Sequence, residues 1–264
     1  MRLAWRTLLV VCAVSAPVVA PAAASAGPLK GPEATGTACQ AALGDKAVGA
    51  PTNDVSWRIA PAEQIKAFER LPPPGRHPAD MHPASWVGPS AAPWLLALSG
   101  PRDADGACWV RVRLPFRPNT AAGWVNVTEA TVQANPWRIA VSRAKRQLTV
   151  FRDGKPIRTI NAVVGKPSTP TPTGDFAVAW AVKWHPNYFL GSWVLELTAH
   201  SDILRHFGGG DGTVGIHGRG GASLLNPLGT AASHGCVRID NSEIDWLVGT
   251  IGRNALPGTP VQIN

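Results

Sequence analysis

The chain has 264 residues, 45% of them hydrophobic, and a formal net charge of +8. That length supplies one large domain or two modest ones with real apolar cores. The lysines and arginines are scattered and form no zinc-finger or basic-helix pattern, which argues against nucleic acid as a partner.

Residues 1–26 read as an export leader. Arg2 and Arg6 give a positive start, an apolar run spans Leu8 to Ala20, and Ala24-Ser25-Ala26 offers a small-residue cleavage site before Gly27. The run is too short, and too broken by Pro17 and Pro21, for a spanning helix; an uncleaved anchor is the alternative. Cleavage after Ala26 removes two arginines and takes the +8 to +6. The expected mature protein is exported, to the periplasm, wall or medium, and its basic charge favours anionic wall polymers. Cys12 leaves with the leader. Cys39, Cys108 and Cys236 remain, and in an oxidising compartment an odd number leaves one thiol unpaired.

Residues 27–50 are rich in Ala, Gly and Pro and read as a flexible lead-in. Residues 51–134 form a small β-rich module. In Cys108–Leu114, Trp109, Arg111 and Arg113 alternate with Val110, Val112 and Leu114, the period of a half-buried strand. Trp94–Leu98 and Gly123–Val127 are further short strands. The stretch Val110–Val127 resembles the SH3-like modules found ahead of catalytic domains in exported wall enzymes.

A boundary falls near Gln133–Pro136, and residues 136–264 follow as a second domain. Trp137–Ser142 and Gln147–Phe151 read as strands, and Asp153-Gly154 as a hairpin turn, because both positions tolerate positive φ. Three prolines make Gly165–Gly174 a loop that feeds a strand from Asp175 to Ala181. Asp240-Asn241-Ser242-Glu243 has capping-box form, and Ile244, Leu247, Val248 and Ile251 recur at helical spacing up to Gly252. A last strand covers Val261–Ile263.

Chemistry concentrates between Gly208 and Asn241. There Ile216-His217-Gly218 precedes Ser233-His234-Gly235-Cys236-Val237-Arg238. A thiol transfers acyl groups well as thiolate, and a neighbouring imidazole can take its proton and return it to a leaving amine. Glycines let backbone amides approach a developing oxyanion, and Arg238 is a cation that can steady a thiolate or grip a carboxylate. His217 or His234 could be an ordinary buried histidine, and two further readings compete. Cys236 could bridge to Cys39 or Cys108, whereas a Cys39–Cys108 pair leaves it free. A zinc site is the other, although His-x16-His-x-Cys fits no common zinc spacing.

His217, fifteen residues, then Ser233-His234-Gly235-Cys236 with Arg238 and Asn241 beyond resembles the signature of the L,D-transpeptidases with a YkuD-type catalytic domain. Gly165 and Pro170-Thr171-Pro172-Thr173-Gly174-Asp175-Phe176 resemble the same family's Pro-Thr-Pro-x-Gly-x-Phe loop. The resemblance implies a mainly β protein: a YkuD-like β-sandwich with a short C-terminal helix, behind the small SH3-like module. It implies Cys236 as nucleophile and His217 as base, oriented by the Gly218 backbone. It places His234, Gly235, Cys236 and Ser233 around the oxyanion, with Arg238 and Asn241 in support, and Tyr188 and Trp184 on a covering segment beside the cleft. The implied substrates are peptidoglycan tetrapeptide stems, joined into 3-3 cross-links through a thioester. Carbapenem acylation, a monomer, and no cofactor or metal are the accompanying expectations. Hydrolysis as an L,D-carboxypeptidase or exchange with another amine uses the same cysteine. A non-catalytic wall binder, suggested by the eleven tryptophans, is the alternative outside enzymes.

Overall fold

Apolar side chains recurring at every second residue make strands the main regular element of the described residues. In a computed structural model, residues 36–73, 85–87, 93–207 and 209–264 are described. The expected leader and the first part of the lead-in lie outside them. No helix among the described residues is long and apolar enough to cross a membrane.

The front module opens with helix α1 (Thr37–Leu43), inside the segment 27–50 expected to be a flexible lead-in. Three alanines favour the helix, and two partners fix it. Asp103 accepts from the amides of Ala38 (3.0 Å) and Cys39 (3.3 Å), satisfying donors of the first turn, and Cys39 is bridged to Cys108. Eight strands follow: β1 (Ser56–Ala60), β2 (Ile65–Ala67), β3 (Ser85–Val87), β4 (Leu95–Leu96), β5 (Arg102–Ala104), β6 (Ala107–Arg113), β7 (Ala122–Asn126) and β8 (Thr131–Asn135). They form sheets ordered β4-β1-β8, β2-β3 and β5-β6-β7. Ile59, Val110, Val112 and Val125 fill their core.

The second part contributes β9 (Trp137–Ser142), β10 (Gln147–Arg152), β11 (Lys155–Asn161), β12 (Val164–Gly165), β13 (Gly174–Lys183), β14 (Trp193–His200), β15 (Thr213–His217), β16 (Ala231–Ser233), β17 (Val237–Arg238) and β18 (Pro260–Ile263), with helix α2 (Asn241–Ile251) before the last. Eight of these strands make one sheet, ordered β11-β10-β9-β18-β13-β14-β15-β17. β10 and β11 meet at Asp153 (φ 49°) and Gly154 (φ 72°), the turn expected from Asp-Gly. Two pairings are parallel, β18 with β9 and β15 with β17, and the second builds the site. β12 runs parallel to β16, which lays the proline-rich loop against Ser233. The loop's Lys166 amide donates to the Ser233 carbonyl at 2.9 Å.

Helix α2 buries Ile244, Leu247, Val248 and Ile251 against the sheet core, as its spacing predicts. Its capping box does not form. No side-chain cap bond is made at Asp240, because Arg219 takes the Asp240 carboxylate through Nε (3.0 Å) and Nη2 (2.6 Å). Glu243 is likewise held by Arg158 at 2.9 Å. Charged partners outcompete a neutral backbone amide.

The sequence divides near Pro136, yet residues 34–264 form one compact unit containing two separate apolar cores. Arg58 of β1 donates to the carbonyls of Asn254 and Ala255, each at 3.0 Å, and stacks over Trp94. Asn135 donates to Thr259 Oγ1 at 3.0 Å.

Candidate active site

β15 ends at His217, and β17 begins one residue after Cys236. Their parallel register sets Ile216 beside Val237 and His217 beside Arg238. Two segments distant in sequence are thereby brought edge to edge, and the Gly215 amide points at the Cys236 sulfur at 3.5 Å. His217, His234, Cys236 and Arg238 line one cavity of about 80 Å³, walled further by Phe189, Leu190, Val214 and the flanks of the β14–β15 connection. A larger cavity of about 580 Å³ lies between the front module and β13 and β18, and none of these groups lines it.

Cys236 is the free cysteine among the described residues, partly exposed. Burial pushes its thiol up, against the Gly215 amide and Arg238, which pull it down. Desolvation of a thiolate outweighs one weak donor and one nearby cation. Burial outweighs both neighbours, so the thiol is harder to ionise than an ordinary one.

His217 is 1% exposed. Burial drives its pKa down to about 4; the Gly218 carbonyl opposes this, Arg238 adds to it, and the Leu190 carbonyl opposes it. Its Nδ1 lies 2.7 Å from the Gly218 carbonyl, as the resemblance implied for that glycine. A carbonyl only accepts, so Nδ1 carries the proton and Nε2 keeps the lone pair.

Ser233 is fully buried. Its Oγ donates to the Cys236 carbonyl at 2.6 Å and accepts from the Gly235 amide at 3.1 Å. It thus pins the Ser233–Cys236 turn, in which Gly235 takes φ 128°, a conformation that favours glycine. The Gly235 amide, expected at the oxyanion, is committed to Ser233. His234 is exposed, stacks on Phe207 at 5.3 Å, and has Lys166 Nζ 3.5 Å from its Nε2. Burial, Lys166 and Arg238 lower its pKa in that order.

Arg238 is 3% exposed. Its Nη1 donates to Asn226 Oδ1 at 2.8 Å, and its guanidinium lies 4.7 Å from the Phe189 ring centroid. Among the described residues its buried Nε has no partner. Asn241, expected at the substrate, serves the covering segment instead. Its Oδ1 accepts from the Ser192 (3.0 Å) and Arg219 (3.2 Å) amides, and its Nδ2 donates to the Pro186 carbonyl (3.0 Å). Trp184 and Tyr188, also expected beside the substrate, are 45% and 63% exposed and flank His185. Phe189 and Leu190 of the same segment line the cavity in their place. Sequence reasoning missed these two, Lys166 and Gly215. Phe189 and Leu190 adjoin Tyr188 and Lys166 adjoins Gly165, so adjacency was the available signal; Gly215 carried none beyond its strand.

A buried imidazole at the end of β15 and a free thiol in the turn ahead of β17 thus line one cavity. Residues 136–263 match the model of the YkuD family, the L,D-transpeptidase catalytic domain. The chain is 30% identical over 129 residues to the candidate L,D-transpeptidase YkuD of Bacillus subtilis, covering 49% of this chain and 66% of that protein. It is 32% identical over 111 residues to its Bacillus licheniformis counterpart, covering 41% and 56%. The match thus spans less than two thirds of either relative. Among solved structures, an L,D-transpeptidase of Xylanimonas cellulosilytica is 25% identical, covers 49% of this chain and 61% of its own, and has a TM-score of 0.35. The catalytic domain of the Enterococcus faecium L,D-transpeptidase acylated by ertapenem is 26% identical, covers 48% and 96%, and has a TM-score of 0.32.

Proposed function

We propose that the chain is an exported L,D-transpeptidase that acts on peptidoglycan tetrapeptide stems through a Cys236 thioester. The observation that carries this is the pairing of β15 with β17, which sets the imidazole-bearing strand against the thiol-bearing turn. As the Cys236 sulfur attacks the carbonyl ahead of the terminal D-alanine, its proton passes to His217 Nε2, so no free thiolate is required beforehand. The Cys236 amide is the proposed oxyanion donor, with the Arg238 cation in support. Its collapse breaks the C–N bond, and the D-alanine amine departs with the proton from His217. The side-chain amine of a second stem then attacks the thioester, gives a 3-3 cross-link and regenerates the thiol. Positive charge on the mature chain favours anionic wall polymers.

Intact mass after incubation with a defined tetrapeptide tests this. The expected product is an acyl adduct that lacks D-alanine and disappears in Cys236→Ala. An undiminished adduct on that variant overturns the reading. Ertapenem, which acylates the Enterococcus faecium domain, is the second probe and is expected to modify Cys236. With an amine acceptor, a joined dimer marks transpeptidation; tripeptide alone marks hydrolysis.

A further inference from the structure

Part of the Cys236 cavity is walled by Ser201, Leu204, Gly212 and Thr213, which flank the connection between β14 and β15. That connection has ties of its own. The Ser201 amide donates to the Gly212 carbonyl at 2.8 Å, and His200 Nε2 lies 3.0 Å from Asp211 Oδ2. Phe207 stacks on His234 at 5.3 Å, and further hydrogen bonds come from the other side of the module boundary, out of the loop between β6 and β7.

Arg117 Nη2 reaches the carbonyls of Ser201 (2.9 Å), Leu204 (3.4 Å) and Asp211 (2.8 Å). One nitrogen thus grips both flanks of the connection and sets their separation. Asn119 clips the backbone of His200 from both directions: Nδ2 donates to its carbonyl and Oδ1 accepts from its amide, each at 2.8 Å. Asn119 Nδ2 also lies 3.3 Å from Asp202 Oδ1. The fit is close at Gly212 (φ 82°), where an added Cβ would come within 3.0 Å of Arg117 Nη2.

We propose that Arg117 and Asn119 are positioning residues for acyl transfer at Cys236, so that the reaction cavity is a joint product of the front module and the catalytic domain. This rests on the reading of Cys236 as an acyl-accepting nucleophile. Neither side chain is among the residues that line the cavity. Both act through the backbone that forms its wall. Reacting groups misplaced by about 1 Å can cost about a hundredfold in rate, so a slackened wall is felt at the sulfur.

The test uses the full chain with Arg117→Ala, Arg117→Lys and Asn119→Ala. Three readouts are taken: hydrogen exchange across 200–204 and 211–213, the rate of ertapenem acylation, and the rate of Cys236 alkylation by iodoacetamide. Each alanine variant is expected to speed exchange in those segments and to slow acylation about tenfold or more, while alkylation stays within about threefold, because a small reagent needs the sulfur and not the wall. Arg117→Lys, which keeps three donors, is expected to restore most of the acylation rate. Unchanged exchange overturns the proposal. Faster exchange with unchanged acylation also overturns it, as does a parallel loss of acylation and alkylation. A wild-type chain that takes no ertapenem, yet is alkylated at Cys236, instead refutes acyl transfer, and exchange then still decides whether the strut holds the wall. Should Arg117→Ala not fold, Asn119→Ser carries the same measurements.

Discussion

Burial keeps His217 in the neutral form that the proposed role of base requires. Held down to about 4, its imidazole is neutral at every pH from neutrality to mildly acid. Acylation of Cys236 by ertapenem is therefore expected to stay flat from about pH 7 to about 5 and to fall only as the pH approaches 4. A rate that halves near pH 6.5 would contradict this, and a stopped-assay profile decides. The same shift is a stability term. Folding favours the neutral ring, so its contribution is complete above the ordinary value of 6.5 and is lost as the pH falls from there towards 4. At about 1.4 kcal/mol per unit it amounts to about 3 kcal/mol. Chemical denaturation of His217→Gln should show an acid limb shallower by up to that amount. Ser233 presents the other residue-scale prediction: Ser233→Ala strands the buried Gly235 amide, a cost of about 1–3 kcal/mol, readable as a lowered denaturation midpoint. Cys236 and His217 were legible because thiol and imidazole chemistry resides in residue type and spacing. The parts played by Ser233, Gly235 and Asn241 were not, since they depend on which donor each oxygen meets after folding.

Among the elements, the strands were the more readable. Apolar alternation, Asp153-Gly154 and the proline run each carry a local cause, and Trp137–Ser142 forms where its pattern places it. The cap of α2 misled because Asp240 and Glu243 satisfy a local rule in sequence and a distant arginine in space. Helix α1 hid in an Ala- and Gly-rich stretch because its anchors, Asp103 and Cys108, lie on other elements. The covering segment between β13 and β14 is held from α2 by the single amide of Asn241. Asn241→Ala removes these bonds and is expected to speed hydrogen exchange over 186–192. It should also slow acylation, because Phe189 and Leu190 wall the cavity; unchanged exchange would refute the clamp. Gly218→Ala should do the same, since a Cβ there meets the Asn241 Oδ1 and lies 3.0 Å from the Ser192 amide.

For the whole molecule, the sequence showed two compositionally distinct parts but not that they close into one unit. Arg58, Arg117, Asn119 and Asn135 look like ordinary surface polar residues until Asn254, Ser201, His200 and Thr259, each more than 80 residues away, are known as partners. The Cys39–Cys108 bridge spans a separation of 69 residues. By the chain-entropy reckoning its loss costs about 4 kcal/mol, and reduction is expected to lower the thermal midpoint while leaving Cys236 unmodified. That bridge shares a chain with a free sulfur, and such pairs are prone to shuffle, because a thiolate attacks a disulfide and the neutral form does not. Partial burial makes the Cys236 proton harder to lose and so lowers the thiolate fraction that could attack the bridge. The same protonated state blunts peroxide and stray oxidised thiols, so native Cys236 should outlast a free cysteine under mild oxidant and surrender that immunity on unfolding.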